Sequence, residues 1–164
     1  MTFTELHQLP TTELARLLRT LPSFDARLLG GSTYRGISLG LPALIERLLW
    51  RKFAKHFDRA GAGFNLRIIQ NDLAQPWLPQ RTRRGGVRSF GPFRITTQGG
   101  RVELDYSIAN PLMRQLRDPL VAIDASADLI VGCSQLVVGQ RRLATPSYFV
   151  LQRDSALTRQ HLGD

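Results

Sequence analysis

The chain has 164 residues, room for one ordinary domain and too few for two of typical size. Its 22 Lys+Arg against 13 Asp+Glu give a formal net charge of +9, and 43% hydrophobic residues exclude a wholly disordered chain. Fourteen glycines and nine prolines exclude a simple helical bundle, and the single cysteine excludes a disulfide framework and a multi-cysteine zinc site.

The N-terminal segment MTFTELHQLPTTELARLL has no basic start and no small-residue cleavage site after an apolar core. It does not read as a secretory signal. The longest apolar stretch, Leu129 to Val138, is interrupted by Gly132, Ser134 and Gln135 and is shorter than the roughly 20 residues of a membrane span. These features point to a cytoplasmic bacterial protein with Cys133 as a buried free thiol.

A first helix is capped by Thr11 or Thr12 and carries Glu13 in its first turn, where a helix N-terminus favours negative charge. Leu14, Leu17, Leu18 and Leu21 follow at helical spacing, and Pro22 ends the helix. In the segment Leu28 to Gly40, alternation of Tyr34, Gly36 and Ser38 with Ile37 and Leu39 predicts a strand entered through a glycine turn. Pro42 then opens a second predicted helix. Its apolar face is Leu41, Leu44, Ile45, Leu48, Leu49, Phe53 and Phe57; its basic face is Arg47, Arg51, Lys52, Lys55 and Arg59. Gly61 and Gly63 terminate it.

After Gly63 the period changes from 3.6 to 2. Phe64 to Gln70 and Val87 to Gln98 read as strands, the second broken by Gly91-Pro92. Gly99-Gly100 predicts a two-residue hairpin turn into Arg101 to Ile108, with Val102, Leu104 and Tyr106 on one face. Leu120 to Asp124, Leu129 to Val138 and Ser147 to Arg153 are further strands, with Gly139 and Pro146 framing the last hairpin. Residues 154–164 read as a polar, fraying tail. There is no βαβ alternation. The pattern predicts a mostly β (α+β), single-domain antiparallel protein over 1–153, with two N-terminal helices and strands that close or curl to hide their edges.

Three pieces, taken in order, carry a resemblance: Gly30-Gly31-Ser32-Thr33-Tyr34-Arg35-Gly36, then Trp50-Arg51-Lys52-Phe53, then a series through Asp105-Tyr106, Asn110-Pro111, Arg117-Asp118, Leu129 to Gly132 and Tyr148 to Leu151. They resemble uncharacterised bacterial proteins with a GXWXG-type opening and a lipocalin-like (calycin-like) β-barrel. Two positions depart from that opening: Tyr34 stands in place of tryptophan, and Ser32 in place of the first glycine. The resemblance implies a barrel of about seven to nine strands with an interior cavity, over residues 28 to 153. It implies no known reaction.

Such a barrel holds one small ligand in a mostly apolar cavity with a few placed polar groups. The candidate ligand-binding residues are Tyr34, Arg35, Phe93, Tyr106, Arg117 and Tyr148, for an apolar or amphipathic molecule with an anionic head. The aromatics read first as core packing, since aromatics on strands usually pack, and Asp118 reads as fixing a turn before Pro119. A second reading is a nucleic-acid or anionic-surface binder. It uses Arg81, Arg83, Arg84 and Arg88, extended by the basic helix face. Against it, no nucleic-acid module is present, and the arginine bias runs through the whole chain. A third is a barrel enzyme of isomerase or cyclase type on an apolar substrate, with no nucleophile–base pair in the sequence to support it. Glu103 and Asp105 share one strand face and read as solvent-exposed. His56 has no ligand partner at i±3 or i±4, so neither a metal nor another cofactor is expected.

Overall fold

The computed structural model describes residues 1–40, 51–69 and 72–162. Eight antiparallel strands close into a barrel: β1 (Ser32–Leu39), β2 (Lys52–Phe57), β3 (Ala62–Arg67), β4 (Ser89–Gln98), β5 (Arg101–Asp105), β6 (Leu116–Ala122), β7 (Leu129–Val138) and β8 (Arg141–Arg153). Each strand pairs with the next in sequence, and β8 returns to pair with β1. Closure leaves no sheet edge unpaired. The expectation of a closed antiparallel barrel holds, as do the glycine entry to β1 and the Gly99-Gly100 turn. Both turn glycines have positive φ, which side chains rarely adopt.

Successive residues of a strand face opposite sides, so each strand here divides between an inner and an outer cluster. The inner cluster includes Tyr34, Phe53, Phe57, Phe93, Leu104, Tyr106, Leu120, Ile130, Phe149 and Leu151. Outside β1 and β6–β8, helices α1 (Phe3–Gln8) and α2 (Thr11–Thr20) lay Leu6, Leu14, Leu17 and Leu18 over Ile37, Val121, Val131 and Val150. Thr2 and Glu5 cap α1 reciprocally, each satisfying a free amide of the first turn. A third helix, α3 (Ser155–Leu162), covers Ala54, Leu66 and Ile68 with its buried Leu157. Asp154, which accepts from the amides of Ala156 and Leu157, starts it. A capped helix thus stands where the composition suggested a fraying tail.

The second predicted helix is a correction. Its C-terminal part, Lys52–Phe57, is strand β2, and all six residues are buried. The part that falls on residues 41–50 lies outside the described residues. Phe53, Lys55 and Phe57 turn inward, while Lys52, Ala54 and His56 turn outward beneath α3 and the loop that follows β3. Burial of both faces removes the apolar–polar alternation that marks a strand. The two N-terminal helices are therefore α1 and α2. Pro146 is likewise inside β8, not at its hairpin, and Asp118-Pro119 lies within β6.

Two inward-facing glycines make room for rings. A Cβ on Gly36 would stand 2.6 Å from Phe53 Cζ, and one on Gly132 would stand 2.3 Å from Phe149 Cζ and 2.8 Å from Leu120 Cδ2. Phe53 and Phe149 meet edge to face at 6.0 Å between these gaps. Gly132→Ala is expected to destabilise the barrel by about 1–3 kcal/mol through overpacking. Gly86→Ala, whose added carbon would meet Thr82 Oγ1 at 3.6 Å, is expected to stay within about 0.5 kcal/mol of wild type. Urea denaturation compares them, and equal midpoints would refute the packing account.

Candidate functional site

A polar cluster interrupts the apolar interior. Lys55 of β2 donates from Nζ to Asn65 Oδ1 of β3 at 2.8 Å, to the Tyr106 hydroxyl at 2.5 Å and to Asp118 Oδ2 of β6 at 3.4 Å. An ammonium has three donors, and each finds an acceptor. Tyr106, one residue past β5, donates in turn to Asp118 Oδ2 at 3.1 Å. The Lys55 and Asp118 side chains are each 4% exposed. The second Asp118 oxygen, Oδ1, is buried and has no hydrogen-bond partner among the described residues. The Ser134 hydroxyl stabilises the carboxylate against the effect of burial, although no hydrogen bond of ordinary geometry reaches Oδ1.

Four rings surround the Lys55 ammonium. The centroids of Phe149, Phe53, Tyr106 and Phe93 lie 5.1, 5.3, 5.3 and 5.4 Å from Nζ. Their faces favour a cation. Burial opposes them: it holds the Lys55 amine below its ordinary value, with Asp118 offsetting part of the effect. Burial also raises the Asp118 carboxyl, against the pull of Lys55, and it raises the Tyr106 phenol, an effect that Asp118 reinforces. Both members of the pair are thus pressed toward their uncharged forms. By linkage, the Asp118 shift favours the fold in acid, below its ordinary value of 3.8, and that contribution is lost as pH rises through its raised value. The Lys55 shift favours the fold above 10.5 and is lost as pH falls through its lowered value. Between these limits both shifts weigh against the fold.

The cluster forms the base of an open pocket of about 500 Å³. Among the described residues its walls are Phe53, Phe90, Phe149, Leu112, Met113 and Leu116, with Ser38, Asn110, Ser134 and Ser147 between them. Local chemistry builds the rim. Asn110 Oδ1 accepts from the amides of Leu112 and Met113 at 3.1 and 3.2 Å, a turn that sets both side chains over the mouth. Asn65 Nδ2 donates to the Gly91 carbonyl at 3.1 Å, close under Met113. Strand register shifts at Gly63/Asn65 and at Cys133/Gln135, beside two polar residues of the pocket, Asn65 and Ser134. The other end of the barrel is sealed. There the Tyr34 hydroxyl donates to the Ala127 carbonyl at 2.8 Å, and Arg153 lies over the Tyr34 ring at 5.1 Å. Leu29, with Phe24 and Ala26 beside it, packs into the same inner cluster.

The predicted ligand-binding residues do not converge. Tyr106 lines the pocket and Phe93 packs beneath Lys55. Tyr34 belongs to the sealed end. Arg35 faces outward, 5.2 Å from both the Phe3 and Trp77 rings and bonded to Gln152. Arg117 faces outward and pairs with Asp105 at 3.2 Å. Tyr148 packs with the cluster under α1 and α2. Sequence reasoning missed Lys55 and Asn65, and it placed Asp118 in a turn.

The remaining candidates resolve structurally. Arg81, Arg83, Arg84 and Arg88 are exposed on a short hairpin bridged at Arg81 and Val87. Of their expected partners on a helix face, Arg47 lies outside the described residues, and Lys52 and Lys55 stand on strand β2. Lys55 is internal, and Lys52 is buried on the outer face. It donates to the carbonyls of Asp72, Gln75 and Pro76 at 2.8, 2.7 and 3.3 Å, with its Nζ 4.0 Å from the Trp77 ring centroid. Glu103 is buried and paired with Arg142, where a wet strand face was expected. His56 is buried, its Nδ1 2.9 Å from Thr33 Oγ1, and no group of three or more metal-ligating side chains occurs among the described residues. Burial pushes the Cys133 thiol up to about 11, which keeps it protonated and unreactive.

Fold and site together define a closed eight-stranded antiparallel barrel with a pocket at one end. Among solved structures it is similar to one described as "Crystal structure of protein from Thermomonospora curvata". The two chains are 21% identical over 89% of this chain and 88% of that one, with a TM-score of 0.53. At that identity the likeness shows the fold alone. No family model matches the chain, and no curated protein does. No helix among the described residues is long and apolar enough to cross a membrane.

Asp118→Leu is expected to cost about 3–5 kcal/mol, because it strands the Lys55 ammonium without its counter-charge. The double variant Lys55→Met/Asp118→Leu is expected to recover most of that loss, since an apolar pair removes the desolvation penalty as well. Denaturant midpoints decide the matter: a double variant as unstable as the sum of its singles would show that the two groups do not act as a pair.

Proposed function

We propose that this barrel binds one small, mostly apolar molecule whose polar end rests on Lys55, Asn65, Tyr106 and Asp118. The observation that carries the reading is a wide apolar cup whose base is a buried polar cluster with one unpartnered oxygen. A pocket of about 500 Å³ suits a ligand of ordinary small-molecule size. Asp118 Oδ1 offers an acceptor to a ligand donor or to water. Lys55 and Asp118 together carry no net charge, so the base suits an uncharged dipole better than the anionic head expected from the sequence. The lipocalin-like, calycin-like kinship belongs to this reading. It is supported by eight strands in next-neighbour order and by a cup closed at one end.

The test uses 2-naphthylmethanol, a flat apolar body with one hydroxyl. At roughly 0.5 kcal/mol per heavy atom, its about twelve heavy atoms give about −6 kcal/mol, a Kd in the tens of micromolar. Calorimetric titration is expected to show one site. Leu112, 89% exposed on the pocket rim, is the place to perturb without touching the core. Leu112→Asp is expected to weaken binding several-fold, and Leu28→Asp, at an exposed site beside the sealed end, is expected to leave it unchanged. No binding heat, or equal loss in both variants, would sink the reading.

A further inference from the structure

The chain has twenty arginines and two lysines, and both lysines stand on β2. Arginine keeps its proton in a protein, whereas a buried lysine releases it and becomes a nucleophilic amine. Lys52 has a plain structural use: three backbone carbonyls hold its ammonium and fasten the 72–76 loop to the barrel. Lys55 is different. It lies at the base of an open apolar pocket, beside a phenol that donates a hydrogen bond to a carboxylate.

We propose that Lys55 forms a reversible imine with an aldehyde or ketone whose apolar body fills the pocket. This rests on the ligand-binding reading given above. The Lys55 ammonium first gives a proton to Asp118, 3.4 Å away, leaving an uncharged amine and a carboxylic acid. Burial favours both of these forms. The amine lone pair then attacks the carbonyl carbon. A C–N bond forms, the C=O π pair moves to oxygen, and that oxygen takes a proton from Tyr106, which Asp118 reprotonates through their 3.1 Å hydrogen bond. Asp118 collects the proton released by the new C–N nitrogen. It returns a proton to the carbinolamine hydroxyl, which leaves as water while the nitrogen lone pair closes the C=N bond. One water is released, and no oxidant or reductant is consumed. The protonated imine is again a cation at the Lys55 position, where four rings and the Asp118 carboxylate already favour positive charge.

The experiment incubates the whole chain with 2-naphthaldehyde and sodium cyanoborohydride, which reduces an imine to a stable amine, and locates the label by peptide mass mapping. The competing amines are Lys52 and the terminal α-amine. The expected result is a single adduct on Lys55, formed at least tenfold faster than at the α-amine and slowed by added 2-naphthylmethanol. Tyr106→Phe is expected to slow labelling about tenfold or more, as loss of a positioned acid does. Lys55→Arg is expected to abolish the internal adduct. Mapping of the wild-type chain does not depend on whether a variant folds. If the alcohol binds but Lys55 stays unlabelled, or if label appears only on the α-amine, the imine is overturned and the pocket stands. If the alcohol does not bind and no label appears, both fall.

Discussion

A strand covered on both faces has no water to which it can send a charged side chain, and β2 carries two such side chains. Lys52 faces out and Lys55 faces in, three residues apart on a period of two. Each ammonium must find its acceptors within the protein or cost several kcal/mol. Lys52 finds them in the backbone of the 72–76 loop, which folds across the outside of the barrel. Lys55 finds them in β3, in the residue after β5, and in β6, which binds three separate stretches of chain to one nitrogen. The wall around the pocket and the chemistry at its base therefore follow from the same requirement.

The two ends of the barrel meet that requirement differently. At the sealed end, polar groups are consumed in closing contacts: Tyr34 on a carbonyl, and Arg153 on Asp128, Ser32 and the carbonyls of Leu28 and Ser126. At the open end, Gly36 and Gly132 yield volume to Phe53 and Phe149, whose rings line the pocket rather than fill it. Small residues facing large ones across a barrel interior are an ordinary packing device. Gly63 makes the same room for Phe93, which packs beneath Lys55, and the rings so placed leave a cup.

Much of this fold was legible in the residues. The strand at Ser32–Leu39 and the run Leu129–Val138 announce themselves by apolar content between glycine and polar turns, and Gly99-Gly100 marks its hairpin because both positions need positive φ. The site was less legible for a physical reason. Period-2 reasoning detects a strand with one wet face, and Lys52–Phe57 has none. Its cations imitate the polar face of a helix. Asp118 precedes Pro119, and both are turn formers, but here the proline sits opposite Glu103 in β6. Tyr34, Arg35, Arg117 and Tyr148 were sensible choices by residue type, yet one residue of register sends Arg35, Arg117 and Tyr148 outward. One signal in the sequence did point to burial: in a chain with twenty arginines, both lysines stand on the strand that is covered on both faces.

That distinction also bears on what the pocket admits. The surplus of positive charge belongs to the outside, where exposed arginines such as Arg81, Arg83 and Arg84 are solvated. The inner pair sums to zero. An anion entering the cup would gain Lys55 and face Asp118 within the same few ångströms, and a cation would meet the reverse, while either would lose its own hydration. A neutral dipole avoids both penalties. A carbonyl presents its oxygen to the donors at the base and its electrophilic carbon to the amine, and a single proton passed from Lys55 to Asp118 readies that amine without adding net charge to a buried site. The pairing that makes the lysine tolerable in the interior is thus the same one that can release it as a nucleophile.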